Sequence, residues 1–221
     1  DAVQSIGKLK VDVTDLDVDL LSLSAHKCYG PKGVGALWTR RGSRLIPTMT
    51  GGKQERNRRA GTENVPGIAG LGTAARLAFQ RTETEADRIA ALRNILEAGI
   101  LHRVSGTLIN GDSARRISNT TNISFDRVEA ESLLIALDLE GIAVSTGSAC
   151  SSGTLQPSHV LRAMGHSSHR AQNSIRFSLG TRNTAEEIDR VIDVLPNLVA
   201  KLRNTVRASS VLTQQSSLDG G

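Results

Sequence analysis

Three reactive side chains stand out in this sequence by their surroundings: Lys27, Cys150 and Arg176. Lys27 lies in Ser24-Ala25-His26-Lys27-Cys28-Tyr29-Gly30-Pro31-Lys32-Gly33, after the apolar run from Val18 to Leu23 and before a Gly/Pro-rich turn. A lysine held at the end of a rigid strand, with an imidazole beside it, suits an amine that attacks a carbonyl. It would form a Schiff base with a carbonyl substrate or with pyridoxal phosphate. The plain alternative is a surface lysine at a strand terminus, the common state of that residue. Cys150 sits among Ser145-Thr146-Gly147-Ser148-Ala149 and Ser151-Ser152-Gly153-Thr154, the composition of a solvated loop. An exposed thiol in such a loop is a liability unless it is used, the alternative being an incidental loop cysteine. Cys28 follows a strand end and reads as a packed thiol. Arg176 alternates with serines in Ser174-Ile175-Arg176-Phe177-Ser178. A guanidinium presented from a strand can grip a carboxylate with two hydrogen bonds, or form a structural ion pair.

Other chemistries find little support. The sequence contains no G-x-x-x-x-G-K-[ST] and no strand-linked G-x-G-x-x-G. The five histidines form no H-E-x-x-H, and the two cysteines make no zinc pattern. The Cys150–His159 spacing alone leaves a protease dyad open, but nothing else favours one. The segment Gln54 to Arg59 with Gly61-Thr62 could meet a phosphate, although a solvated basic loop is the simpler reading. Net charge is +5 (27 basic, 22 acidic residues), and aromatic residues make up 2%. Stacked-ring platforms for single-stranded nucleic acid are therefore not expected, whereas mild basicity suits an enzyme of anionic ligands. Two cysteines in 221 residues argue against a disulfide framework and for a reducing compartment. No run approaches the 18 apolar residues of a membrane helix, and nothing resembles a signal peptide.

The elements that must position these residues fall into two textures. Up to about residue 80, short apolar runs alternate with Gly/Pro turns; Val18 to Ser24 and Val34 to Thr39 read as strands, and a helix starts within Gly61 to Arg76. Beyond it, Thr82-Glu83-Thr84-Glu85 reads as a capping box opening a new helix that carries Ile89, Leu92, Ile95 and Leu96. A strand through Ile123-Ser124-Phe125 and a helix with Leu133, Leu134 and Leu137 ending near Gly141 follow. Next come a short helix from Ser158 to Gly165, and a strand with Ile175, Phe177 and Leu179 inward and Ser174, Arg176 and Ser178 outward. A last helix starts at Thr184 and carries Pro196, expected to kink it. From Arg207 the Ser/Thr/Gln-rich tail is expected to be disordered. This places residues 1–80 in a sheet-rich part, 81–206 in a small α+β domain and 207–221 in a tail.

Five motifs in order carry a family resemblance: Asp1-Ala2-Val3-Gln4, Ser24-Ala25-His26-Lys27, Gly61-Thr62-Glu63-Asn64, Ser148-Ala149-Cys150-Ser151-Ser152-Gly153 and Ser174-Ile175-Arg176-Phe177-Ser178. Together they resemble cysteine desulfurases of the NifS/IscS kind, within the class V aminotransferases. The likeness reaches to about residue 204, and the Ser-Ala-Cys loop is similar to that of the long-loop group. The resemblance implies an α/β fold of the aspartate aminotransferase-like type, here a partial large domain plus a small α+β C-terminal domain. It implies pyridoxal 5'-phosphate as cofactor, with Lys27 as its Schiff-base lysine. By the same resemblance Asp1 faces the pyridine nitrogen, Gln4 the phenolic oxygen, and Ser24 and His26 the phosphate. Thr62 would reach the phosphate of a neighbouring subunit, which implies a homodimer. Arg176 would bind the carboxylate of L-cysteine. Cys150 would take its sulfur as a persulfide, with Lys27 and His26 beside it in catalysis, and alanine would leave. The sulfur would pass to an acceptor such as an iron–sulfur scaffold, or to tRNA thiolation, in the cytoplasm (or the mitochondrial matrix of a eukaryote). No resident metal is implied, though Cys150 could meet an iron–sulfur cluster in transit; neither membrane nor direct nucleic-acid contact is expected. A selenocysteine lyase, a class V aminotransferase and a truncated partner-binding fragment are the competing readings. Two departures stand out: Lys53 and Asn57 replace customary glycines. The family's N-terminal half, with its ring-stacking histidine, precedes what begins here at Asp1, so the chain is expected to be part of a longer desulfurase.

Overall fold

The two apolar runs near the start pair as an antiparallel ribbon, β1 (Leu20–Ser24) and β2 (Gly35–Thr39), with Leu20 opposite Thr39 and Ser24 opposite Gly35. This ribbon belongs to a computed structural model that describes residues 1–146 and 157–218, from 206 onward as backbone alone. The chain divides into two compact units between Asp87 and Arg88. In the first unit Ala2, Leu21, Ala25, Cys28, Leu71 and Ala74 are buried. The segment after β2 passes through α1 (Gln54–Asn57), a single turn in which Glu55, Arg56 and Asn57 all take positive φ. Non-glycine residues rarely do so, and Asn57 is the best suited of the three.

The 39-residue helix α2 (Val65–Arg103) supplies Leu71 and Ala74 to the first unit and continues into the second. The sequence predicts a break and a new capped start at Thr82. The helix instead continues past this point, and the Thr82 hydroxyl donates 2.6 Å back to the Ala78 carbonyl. A threonine hydroxyl satisfies itself this way when no glycine or proline interrupts the preceding turns, and none lies between Gly72 and Thr82. The unit division thus falls inside a continuous helix, whereas the sequence reading places its boundary near 80.

The second unit is a three-stranded antiparallel sheet in the order β3 (Thr107–Ile109), β4 (Thr120–Phe125), β5 (Ser174–Ser178). Four helices join it: α3 (Ala130–Leu139), α4 (His159–Ala163), α5 (Ser168–Gln172) and α6 (Ala185–Leu218). Leu96 and Ile100 of α2, Ile123 and Phe125 of β4, Leu133 and Leu137 of α3, Ile175 of β5, and Leu195 and Val199 of α6 form one core. The period-2 pattern of β5 holds for Ile175, Phe177, Arg176 and Ser178, but Ser174 turns inward and is fully buried. It can do so because its hydroxyl donates to the Arg170 carbonyl at 2.6 Å and accepts from Asn110 Nδ2 at 3.0 Å. Helix α6 continues to Leu218, past Arg207 where the sequence predicts a disordered tail. No glycine or proline follows Pro196 until Gly220, so no residue type ends the helix earlier.

Candidate active site

Lys27 owes its place to the way β1 ends. Beyond Ser24 the chain tightens into a 3₁₀ turn, Ala25–Cys28, that stops at Tyr29 in the left-handed region, with φ 66°. The Gly30 amide closes the turn on the Ala25 carbonyl at 2.8 Å, and the Cys28 thiol donates to the same oxygen at 3.3 Å. Burial pushes the Cys28 thiol above its ordinary pKa, and its bond to the Ala25 carbonyl packs it against the turn. With Ala25 and Cys28 buried on one side, Lys27 is left half-buried and His26 exposed. The Ser24 hydroxyl and His26 Nδ1 lie 2.8 Å apart.

The first residues are sewn to the same strand. The Ala2 amide donates to the Ser22 carbonyl at 2.9 Å, and the Ser22 hydroxyl donates to Asp1 Oδ1 at 3.2 Å. Asp1 Oδ1 also accepts from the Val3 amide at 2.8 Å, which orients the carboxylate. From Ala2 to Leu9 the chain makes helical turns, with Ile6 N bonded to Ala2 O and Leu9 N to Ser5 O. This spacing sets Lys8 over Gln4: Lys8 Nζ donates to the Gln4 carbonyl at 3.0 Å and to Gln4 Oε1 at 3.4 Å. Burial lowers the Lys8 pKa, and the Lys27 ammonium lowers it further.

Of the residues singled out from sequence, Asp1, Gln4, Ser24, His26 and Lys27 therefore lie on one strand end and the segment tied to it. Thr62 is exposed in the stretch before α2. Arg176 belongs to the other unit, exposed on β5, its backbone bonded in both directions to Ser145 at 2.6 and 3.1 Å. Cys150 lies outside the described residues. Lys8 was not among the sequence candidates; the i, i+4 spacing from Gln4 was the available signal. Among the described residues no cluster of His, Cys, Asp and Glu could hold a metal ion, and no helix is long and apolar enough to cross a membrane.

The donor set fits pyridoxal phosphate. A carboxylate with a fixed orientation can meet a protonated pyridine nitrogen, and a carboxamide can meet a phenolic oxygen. A hydroxyl and an imidazole side by side can meet a phosphate, and an amine on the same turn can meet an aldehyde. The support beneath this set is tight. A Cβ on Gly35 would stand 2.6 Å from the Leu23 carbonyl oxygen, opposite Ser24. Gly35→Ala is therefore expected to push β2 off β1 and destabilise the chain by about 1–3 kcal/mol. Urea unfolding checks it; a midpoint equal to the parent's would show that the ribbon tolerates the methyl group.

The aminotransferase class-V family pattern matches residues 1–191. A cysteine desulfurase of Gluconacetobacter diazotrophicus is 51% identical over 203 residues, 92% of this chain and 51% of that protein. The cysteine desulfurase IscS of Dictyoglomus turgidum is 50% identical over the same share of this chain and 52% of its own length. Among solved structures, a NifS-like protein superposes with a TM-score of 0.82 at 38% identity, covering 91% of this chain and 52% of that one. DndA of Streptomyces lividans gives a TM-score of 0.63 at 42% identity, covering 80% and 51%. The chain spans about half the length of the curated relatives it matches. Enzymes of this family depend on pyridoxal phosphate, the group for which the turn at Lys27 and its neighbours carry a matching set of donors. On the match over residues 1–191, the chain belongs to the aminotransferase class-V family.

Proposed function

We propose that the chain carries the lysine turn and the reactive cysteine, Cys150, of a cysteine desulfurase, which converts L-cysteine to L-alanine and passes the sulfur on as a persulfide. The observation that carries this reading is the turn at the end of β1, where Lys27 follows the hydrogen-bonded pair Ser24 and His26 on the strand that anchors Asp1. Pyridoxal phosphate, when bound, supplies the electron sink that loosens the bonds of the substrate's α-carbon. Lys27 Nζ would hold it covalently, yield to the substrate's amine, and then move the proton at Cα. Asp1 would keep the pyridine nitrogen protonated, Gln4 would donate to the phenolic oxygen, and Ser24 and His26 would bind phosphate oxygens. Arg176 would grip the substrate carboxylate. Cys150, as a thiolate, would attack the substrate sulfur: the S–S bond forms, the C–S bond breaks, and its electron pair goes to the carbon that is protonated as alanine forms. In this reading Cys150 would have to meet both the substrate and an acceptor, and its sequence neighbours are small residues.

An exposed Thr62 supports a homodimer in which it meets the neighbouring subunit's phosphate. The acceptor would be a protein such as an iron–sulfur scaffold, and the two-cysteine composition supports the cytoplasm. The test is alanine and persulfide formation from L-cysteine in the presence of pyridoxal phosphate, for the parent chain and Cys150→Ala. Alanine with a cyanide-releasable sulfur on Cys150 is expected from the parent, and loss of both by at least about a hundredfold from the variant. Undiminished alanine release by Cys150→Ala would transfer the reading to a different class V reaction.

A further inference from the structure

We propose that Lys8 is a positioning residue for the cofactor: it fixes the carboxamide of Gln4 with its NH2 group turned toward the phenolic oxygen. This rests on the proposed desulfurase reading and concerns a residue outside the five motifs. A carboxamide presents an acceptor at one end and two donors at the other, and nothing in Gln4 itself decides which end faces the ligand. An ammonium can only donate, so the atom it meets must be an acceptor. Lys8 Nζ reaches both oxygens of Gln4, the backbone carbonyl at 3.0 Å and Oε1 at 3.4 Å, and so clamps residue and side chain together. With Oε1 committed to Lys8, the end left for a ligand is the donor end, which an ionised phenolic oxygen needs. The opposite orientation would set oxygen against oxygen.

The setting favours a working contact over an incidental one. Lys8 is half-buried, and the Lys27 ammonium and the Cys28 thiol lie near enough to act on it. A lysine drawn out of water beside a second cation gains more from its acceptors than an exposed one would. Gly7 sits on the same turn, where an added Cβ would contact Cys28 Cβ at 3.4 Å, so the turn bearing Lys8 lies against the turn bearing Lys27.

The test uses the 221-residue chain with pyridoxal 5'-phosphate as probe, comparing Lys8→Met, Lys8→Arg, Gln4→Ala and Lys8→Met/Gln4→Ala. Lys8→Met is expected to weaken cofactor uptake about tenfold, followed by absorbance and by borohydride trapping on Lys27. Lys8→Arg should restore most of it, because a guanidinium also only donates. In the Gln4→Ala background Lys8→Met should add almost nothing, since its effect passes through the missing amide. In the ligand-free chain, the Gln4 side-chain amide signals in a 15N spectrum should be shifted from free-amide positions, move toward them in Lys8→Met and return in Lys8→Arg. An unchanged uptake in Lys8→Met, an equal loss in the Gln4→Ala background, or free-amide signals for Gln4 in the parent would each overturn the inference. Cofactor trapped equally well by Lys27→Ala, or no trapping by the parent, would instead overturn the desulfurase reading, and the Gln4 signals would still decide the role of Lys8.

Discussion

Lys27→Ala is expected to abolish borohydride trapping of pyridoxal phosphate and to lower alanine formation from L-cysteine at least about a thousandfold. The magnitude follows from two roles falling on one atom. Nζ would hold the cofactor covalently, and once displaced it would become the base that moves the substrate's α-proton. Removing it takes away both the attachment and the proton carrier. Its two nearest lysine neighbours on the described turns are differently placed. Lys8 is engaged with Gln4, and Lys32 lies exposed beyond the left-handed residue that ends the turn. The half-burial of Lys27 comes from its neighbours Ala25 and Cys28, packed at 0% and 4% exposure, so the variant should fold as the parent does. Peptide mapping after reduction gives the decisive observation. A cofactor-bearing peptide with residue 27 in the parent and none in the variant is expected, with Lys32→Ala trapping normally. A label found at Lys8 or Lys32 in the parent would sink the assignment.

What could be read in the sequence, and what could not, divides along physical lines. Apolar runs bounded by Gly/Pro turns identified β1 and β2, and alternation identified β4 through Ile123-Ser124-Phe125 and β5, because a strand with one buried face must repeat its apolar residues every second position. Serine caps and glycine stops did the same for α4, where Ser158 accepts from the Leu161 amide and Gly165 follows at φ 86°. The three-residue strand β3 carries too few positions for a period, and it forms because β4 offers it a partner. Thr82-Glu83-Thr84-Glu85 shows the limit of local signals. A capping box marks a helix start only if the residues before it stop being helical, and the preceding residues of α2 do not. In the site, Asp1, Gln4, Ser24, His26 and Lys27 were readable as motif residues. Their common support through Ser22 was not, since a strand-to-terminus bond spans 21 residues with no pattern between them. Lys8 escaped for a similar reason: an i, i+4 pair matters only once the first residue is known to face a ligand. The buried charges of the second unit also lack a motif, and they carry the largest stability effect expected here.

Glu97→Ala should destabilise the second unit by about 3–5 kcal/mol, a large part of the roughly 5–15 kcal/mol that holds a domain folded. Glu97 lies on α2 and Arg116 in the connection between β3 and β4, and the pair is bidentate: Arg116 Nη1 meets Oε1, and Nη2 meets Oε2 at 2.7 Å. Their side chains are 10% and 16% exposed, so water screens neither charge well. One turn earlier, buried Arg93 donates to the Ile117 and Ser118 carbonyls, both at 3.0 Å. Removing the carboxylate strands the Arg116 guanidinium without its partner, in a setting that the nearby Arg93 cation makes still less favourable. Burial alone would raise the Glu97 pKa; the hydrogen bonds and charge of Arg116, helped by Arg93, outweigh it and hold the carboxyl below its ordinary range. A carboxyl depressed in the folded state stabilises fully above its unfolded value, about 4.3, and loses that contribution as pH falls through the lower folded value. The difference in urea midpoint between parent and Glu97→Ala should therefore be full at pH 7 and shrink steadily below about pH 4. Glu97→Leu/Arg116→Met should recover much of the loss, because an apolar pair of similar volume removes the stranded charge. A deficit that stays constant from neutral to acid pH would show that Glu97 acts through its packing and not through its charge.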